Sequence, residues 1–176
     1  ALAVDDRNHI AHNVLAKLKN NKGQTEAAIR HYTESIRARP NYLASFMNLA
    51  QIYEKKKAAE KAEKCYQQAI IIDPDYTDAK VNMGILLAKT GRLEAAAEQF
   101  RLALKLNPDL KEAHYNLAHT YKLQQQSAKA LEHLAMAIRI APDYKNAYYE
   151  MGNIFLEDGK LSDAAARFKK ALNIDP

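Results

Sequence analysis

Five prolines, Pro40, Pro74, Pro108, Pro142 and Pro176, stand at a constant spacing of 34 residues. Proline lacks an N–H and clashes with the preceding turn, so it stops a helix rather than continuing it. A stop recurring at one fixed interval marks the end of a repeated unit, and repeats of this length belong to stacked arrays. Aligned on the prolines, the units cover residues 9–42, 43–76, 77–110, 111–144 and 145–176 of a single array spanning 1–176. Residues 1–8 read as the tail of a preceding unit, with Asp6 where proline stands elsewhere.

The same small residues return inside every unit. Position 8 holds Ala16, Ala50, Gly84, Ala118 and Gly152, and position 20 holds Ala28, Ala62, Ala96, Ala130 and Ala164. A large apolar group follows at position 24, as Tyr32, Tyr66, Phe100, Leu134 and Phe168. Position 27 is alanine in four units and Ser35 in the first. Each unit carries two apolar-periodic stretches of about a dozen residues, the length of an ordinary helix. Between them comes a break, at Gly23, Gly91 or Gly159 in three units, suited to a left-handed helix end. Small groups at positions 8 and 20 let two helices approach closely, and the large group at 24 fills the seam. Acidic groups in Asp75-Tyr-Thr-Asp and Asp109-Leu-Lys-Glu suit helix N-termini. No β segment is expected.

This pattern resembles the tetratricopeptide repeat (TPR), with its small residue at 8, alanine at 20, large residue at 24 and proline near the end. The resemblance covers essentially the whole chain. It implies an all-α, right-handed superhelical solenoid of about five antiparallel helix pairs.

Composition excludes several function classes. With 48% hydrophobic and 27% charged residues the chain is a folded helical protein, and no stretch reaches the roughly 18 apolar residues of a membrane span. The net charge of +5 sits almost entirely in the first unit. There Lys17, Lys19, Lys22, Arg30, Arg37 and Arg39 face only Glu26 and Glu34, while the later units nearly balance. No basic stripe runs along the array, so nucleic acid is not the expected partner. One cysteine, Cys65, leaves no internal disulfide, and at position 23 it reads as a small packing residue. A lone thiol suits cytoplasm or periplasm, and the cytoplasm is the expectation.

No catalytic constellation is visible. His9, His12, His31, His114, His119 and His133 form no H-E-x-x-H arrangement, and no Cys/His cluster has zinc spacing. His12 and His114 occupy position 4, where packing rings are expected rather than ligands. No enzyme activity, metal or cofactor is expected of these residues.

What remains is surface. The resemblance implies a concave groove lined by the first helix of each unit, through positions 2, 5, 9, 12 and 13 with 6 nearby. Asn13 and Lys17 stand there in the first unit, and Asn48, Gln51 and Lys55 in the second. The third gives Asn82, Ile85 and Lys89; the fourth Tyr115, Asn116, His119 and Lys122; the fifth Tyr149 and Asn153. An asparagine both donates and accepts, so Asn48, Asn82 and Asn116 could bond an extended peptide backbone whatever its side chains. That row is similar to the asparagine ladder of O-linked N-acetylglucosamine transferase. Tyr115 and Tyr149 add aromatic anchors. A clamp for a terminal carboxylate is not expected, because acidic Asp78 and Glu112 stand where the resemblance requires lysine.

The expectation is a scaffold that binds an extended segment of a partner protein in its groove. The alternative is the substrate-selecting arm of a larger enzyme such as a glycosyltransferase. A third reading is self-association through the array ends. Apolar Phe168, Leu172 and Ile174 on the last helix lead us to expect either a longer array or ends that meet a neighbour.

Overall fold

A computed structural model describes residues 7–174. The expectations for residues 1–6 and for Pro176 therefore lie outside the described residues. Among the described residues ten helices follow one another: α1 (Arg7–Asn21), α2 (Thr25–Ala38), α3 (Leu43–Lys55), α4 (Ala59–Ile72), α5 (Thr77–Lys89), α6 (Leu93–Leu106), α7 (Lys111–Leu123), α8 (Ser127–Ile140), α9 (Lys145–Glu157) and α10 (Leu161–Ile174). Among the described residues there is no strand. No helix among them is long and apolar enough to cross a membrane.

The local chemistry repeats with the sequence. Position 15 takes a positive φ in every unit: Gly23 at 73°, Lys57 at 57°, Gly91 at 80°, Gln125 at 61° and Gly159 at 73°. The next N–H then reaches back to a helical carbonyl, as from Gln24 to Lys19 and from Arg92 to Leu87, both at 2.9 Å. This closure turns the chain within three residues and ends the first helix of each pair. The second helix ends on an extended residue before proline, Arg39, Asp73, Asn107 and Ala141 having φ between −142° and −133°. Proline restricts the residue before it to extended backbone, so the stop is written two residues deep.

The chain divides into two compact bodies, Ala1–Leu86 and Leu87–Pro176, and the division falls inside α5. In the first body α1 packs on α2, α2 on α3 and α3 on α4. In the second, α6 packs on α7, α7 on α8, α8 on α9, α9 on α10, and α7 also touches α9. The alanines at position 20 are buried throughout, and Tyr32, Tyr66, Phe100 and Leu134 at position 24 are among the largest fully buried side chains. Gly152 shows why position 8 stays small: a Cβ there would lie 2.6 Å from the Phe168 ring. Cys65 is buried, and burial pushes its thiol up to about 11, so it packs rather than reacts at neutral pH.

Ser35, the exception at position 27, has a partner exception. Its hydroxyl donates to the His9 carbonyl at 2.7 Å and accepts from Ser45 at 2.7 Å. Ser45 accepts in turn from the Asn13 amide at 2.9 Å. Three polar side chains on α1, α2 and α3 thereby satisfy one another inside the first body.

Candidate functional site

The expected groove residues fall into three groups. Lys17, Gln51 and Lys55 on α1 and α3 are exposed, as is Lys89 at the end of α5. Asn48, Asn82 and Ile85 are half-buried. Asn13 is a correction: at 4% exposure, with its amide spent on Ser45, it belongs to the core of the first body and not to an open face. Its polarity is consumed by packing.

The candidates of the second body lie on α7 and α9, two helices joined by ion pairs. Lys122 on α7 reaches Glu150 at 3.3 Å and Glu157 at 3.1 Å, both on α9. Partial burial works against the Lys122 charge, but the two carboxylates outweigh it and hold the ammonium above the ordinary lysine range. This double ion pair fixes the first helices of the fourth and fifth repeats side by side. On the same two helices His119 and Leu123 of α7 are exposed, while Asn153 of α9 is half-buried and Leu156 exposed. Tyr149, 54% exposed, has its ring 5.5 Å from Phe168. A hollow of about 500 Å³ opens beside it, lined by Lys145, Asn146, Phe168, Ala171 and Leu172.

Tyr115 is half-buried and meets Tyr144 edge-to-face at 5.4 Å. Burial and the nearby Glu150 raise its phenol, and Tyr144 is pushed up to about 12, again chiefly by burial. Both hydroxyls stay protonated at neutral pH and can donate. The Asn116 amide donates to the Glu112 carbonyl one turn back at 2.8 Å. That leaves its carbonyl oxygen to accept from a ligand.

Two features escaped the sequence reading. His12 and His31 approach Nδ1 to Nδ1 at 3.0 Å, and His114 and His133 do the same at 2.9 Å. Both pairs join positions 4 and 23 across a helix pair, and the shared separation of 19 residues was the signal available. His114 Nε2 lies 3.0 Å from the Pro108 carbonyl, which makes that nitrogen the donor and turns the Nδ1 lone pair towards His133. Among the described residues no group of three or more His, Cys, Asp or Glu could hold a metal.

Known families agree with the repeat geometry. The TPR repeat family matches residues 86–125, and tetratricopeptide-repeat models match 10–42, 44–76 and 109–176. The chain is a tetratricopeptide-repeat protein. Its fold is an all-α solenoid of about five TPR repeats. A crystal structure of MamA shares 25% identity at a TM-score of 0.84, over 92% of this chain and 94% of that one. YrrB, described as a TPR protein with an unusual peptide-binding site, matches at 19% identity and a TM-score of 0.76, over 98% and 89% of the two chains. PilF of Pseudomonas aeruginosa matches at 18% and 0.84, over 97% and 78%. No curated protein sequence matches. The TPR scaffold supports a role in protein interaction.

Proposed function

We propose that the α7–α9 platform binds an extended segment of a partner protein. The observation that carries this reading is the Lys122–Glu150–Glu157 ion-pair set that joins α7 to α9, with Leu123 on α7 and Leu156 on α9 both exposed. Large apolar groups on a platform held rigid by ion pairs are preorganised anchors, and little ordering entropy is lost when a ligand covers them. His119, Asn153 and the free Asn116 carbonyl supply hydrogen bonds to its backbone. Asn48 and Asn82, with Lys17, Gln51, Lys55, Ile85 and Lys89, extend the candidate set outside the platform. The peptide-binding site in the name of YrrB supports a peptide ligand by analogy of fold.

The test is calorimetric affinity for a peptide selected from a random display library on the wild-type protein. Tyr115→Ala with Tyr149→Ala should weaken binding by about 2–4 kcal/mol, the loss expected of interface anchors. Asn82→Ala with Asn116→Ala should cost about 1–3 kcal/mol, at roughly 0.5–1.5 per lost hydrogen bond. The exposed control pair Lys64→Ala with Lys105→Ala should leave affinity nearly intact. Binding abolished by the lysine pair and untouched by the tyrosine pair would place the interaction on the second helices and sink the proposal.

A further inference from the structure

We propose that α1 and the open face of α10 are the two halves of one helix-packing seam, and that a second copy of this chain closes it head to tail. Inner repeats bury what the first one leaves open. Positions 7 and 10 of the second to fifth repeats, from Leu49 and Ile52 to Met151 and Ile154, are at most 8% exposed. In the first repeat the same positions are Leu15 and Leu18, 41% and 52% exposed. That repeat has its own second helix and a following repeat, so what it lacks is a preceding one. The burial inside the chain therefore comes from the second helix of the preceding repeat, in keeping with the packing of α2 on α3, α6 on α7 and α8 on α9.

The last repeat is open on the opposite side. Position 24 is buried and position 28 half-buried in the first four repeats, whereas Phe168 is half-buried and Leu172 62% exposed in the fifth. Leu161 at position 17 is exposed too, where the earlier repeats hold that position half-buried. The hollow beside Tyr149 and Ala171, positions 5 and 27, is the place a following first helix would enter. In the first repeat the corresponding place, between Asn13 and Ser35, is filled by Ser45 at position 3 of α3. Position 3 of α1 is Ala11, exposed and small enough to enter such a seam. Among the described residues α1, α9 and α10 carry eight of the twelve large exposed hydrophobic groups, so open apolar surface is concentrated on the first and last repeats.

Each of these repeats also departs from the common pattern in the way that suits the other. Position 12 of the fourth repeat meets position 6 of the fifth, where Lys122 lies 3.3 Å from Glu150. Position 6 is polar in the second to fifth repeats, as Asn48, Asn82, Asn116 and Glu150. In the first repeat it is Val14, and position 12 of the last repeat is Leu156, 49% and 51% exposed. A joint between copies exchanges the ion pair for an apolar contact, with Ala11 facing Ala171 and α10 covering Leu15 and Leu18. This contact is heterologous: each molecule keeps one half unused after the first joint, so association continues beyond two chains. Leu15, Leu18 and Leu172 lie outside the proposed peptide site, which keeps the two readings separable.

Half-blocked variants test the joint. Leu18→Lys closes the α1 face and Leu172→Lys closes the α10 face, and two like charges keep the altered faces from pairing with each other. Both sites are exposed in the single chain, so folding should survive, and melting curves that match wild type establish it. Sedimentation of the whole wild-type chain should give an average mass that rises with concentration past that of a dimer. Each variant alone should associate at least about tenfold more weakly. Mixed in equal amounts, the variants should form a one-to-one complex that stops at two chains, because one supplies a free α10 face and the other a free α1 face. Leu102→Lys, at an exposed leucine on α6, should behave as wild type. A wild-type chain that stays monomeric, as it would if these faces serve further repeats or a different protein, overturns the proposal. So does a wild-type mass that halts at the dimer, a mixture no larger than its components, or a folded variant that associates alone as strongly as wild type.

Discussion

The seam between the first two repeats and the seam between the last two occupy the same repeat positions but hold together by different chemistry. In the first body, Asn13, Ser35 and Ser45 pass hydrogen bonds to one another and end on the His9 carbonyl. In the second, the matching serine positions are Ala137 and Ala147, both fully buried. Polar work there has moved to the surface, where Lys122 bridges Glu150 and Glu157. A repeat therefore fixes the shape of its seam, and a buried polar group is tolerated only where the neighbouring repeat supplies its partner.

Removing one member of the polar chain should give the largest effect. Ser45→Ala orphans the Asn13 amide and should destabilise the first body by about 1–3 kcal/mol. The triple change Asn13→Met, Ser35→Ala and Ser45→Ala copies the later repeats and should come out close to neutral. Urea unfolding of both variants checks the pair. A single change as harmless as the triple would show that the chain is not a coupled network.

The converse experiment writes the polar seam into the apolar one. Ala147→Ser buries a lone hydroxyl and should cost about 1 kcal/mol, softened where the hydroxyl bonds its own helix. Adding Ala137→Ser supplies a partner, so the double variant should lose less than the two singles combined. A double-mutant cycle reads that coupling directly. Zero coupling would mean that hydroxyls at these positions do not meet in the second body as they do in the first.

Acid should also separate the two bodies. Burial lowers the pKa of His114, and burial together with the neighbouring ring lowers that of His133. Of the charges acting on the pair, Arg139 disfavours protonation of His114, while Asp109 and Glu132 favour it weakly. A histidine with a depressed folded pKa takes up its proton more readily when unfolded. Stability is then full above the ordinary value of about 6.5 and falls as pH drops below it. The melting temperature should decline from pH 7.5 to 5.5, and His133→Gln should flatten that slope. A slope unchanged by the substitution would assign the acid sensitivity to other groups.

The smallest effect belongs to the surface ion pairs. Lys122→Met should cost no more than about 1 kcal/mol, and the loss should shrink in high salt, because the partly exposed Glu157 arm is screened. An effect independent of salt would assign the role of Lys122 to packing.

Much of the fold was legible in the sequence because its determinants are local and repeat. Proline stops, the left-handed residue at position 15 and the close approach at Gly152 each follow from residues within one unit. Lys57 and Gln125 show the limit of reading glycine alone, since they take the same backbone without it. The candidate site was less legible. Asn13 read as a groove residue because its position faces the groove in the family, yet its neighbours Ser35 and Ser45 draw it inward. The histidine pairs were hidden because each ring, taken singly, is an ordinary packing group.

The sequence by itself determined the period, the helix pairs, the turn between them and the small and large positions of each seam. Short-range sterics and the burial of apolar faces decide all of these. Only the tertiary structure decided which polar side chains are spent inside. Asn13, Met47 and Val81 share position 5 of their repeats and all three are buried, yet only Asn13 carries a polar group there. Its Ser45 partner, 32 residues away on the next repeat, is a fact of packing that no local pattern carries.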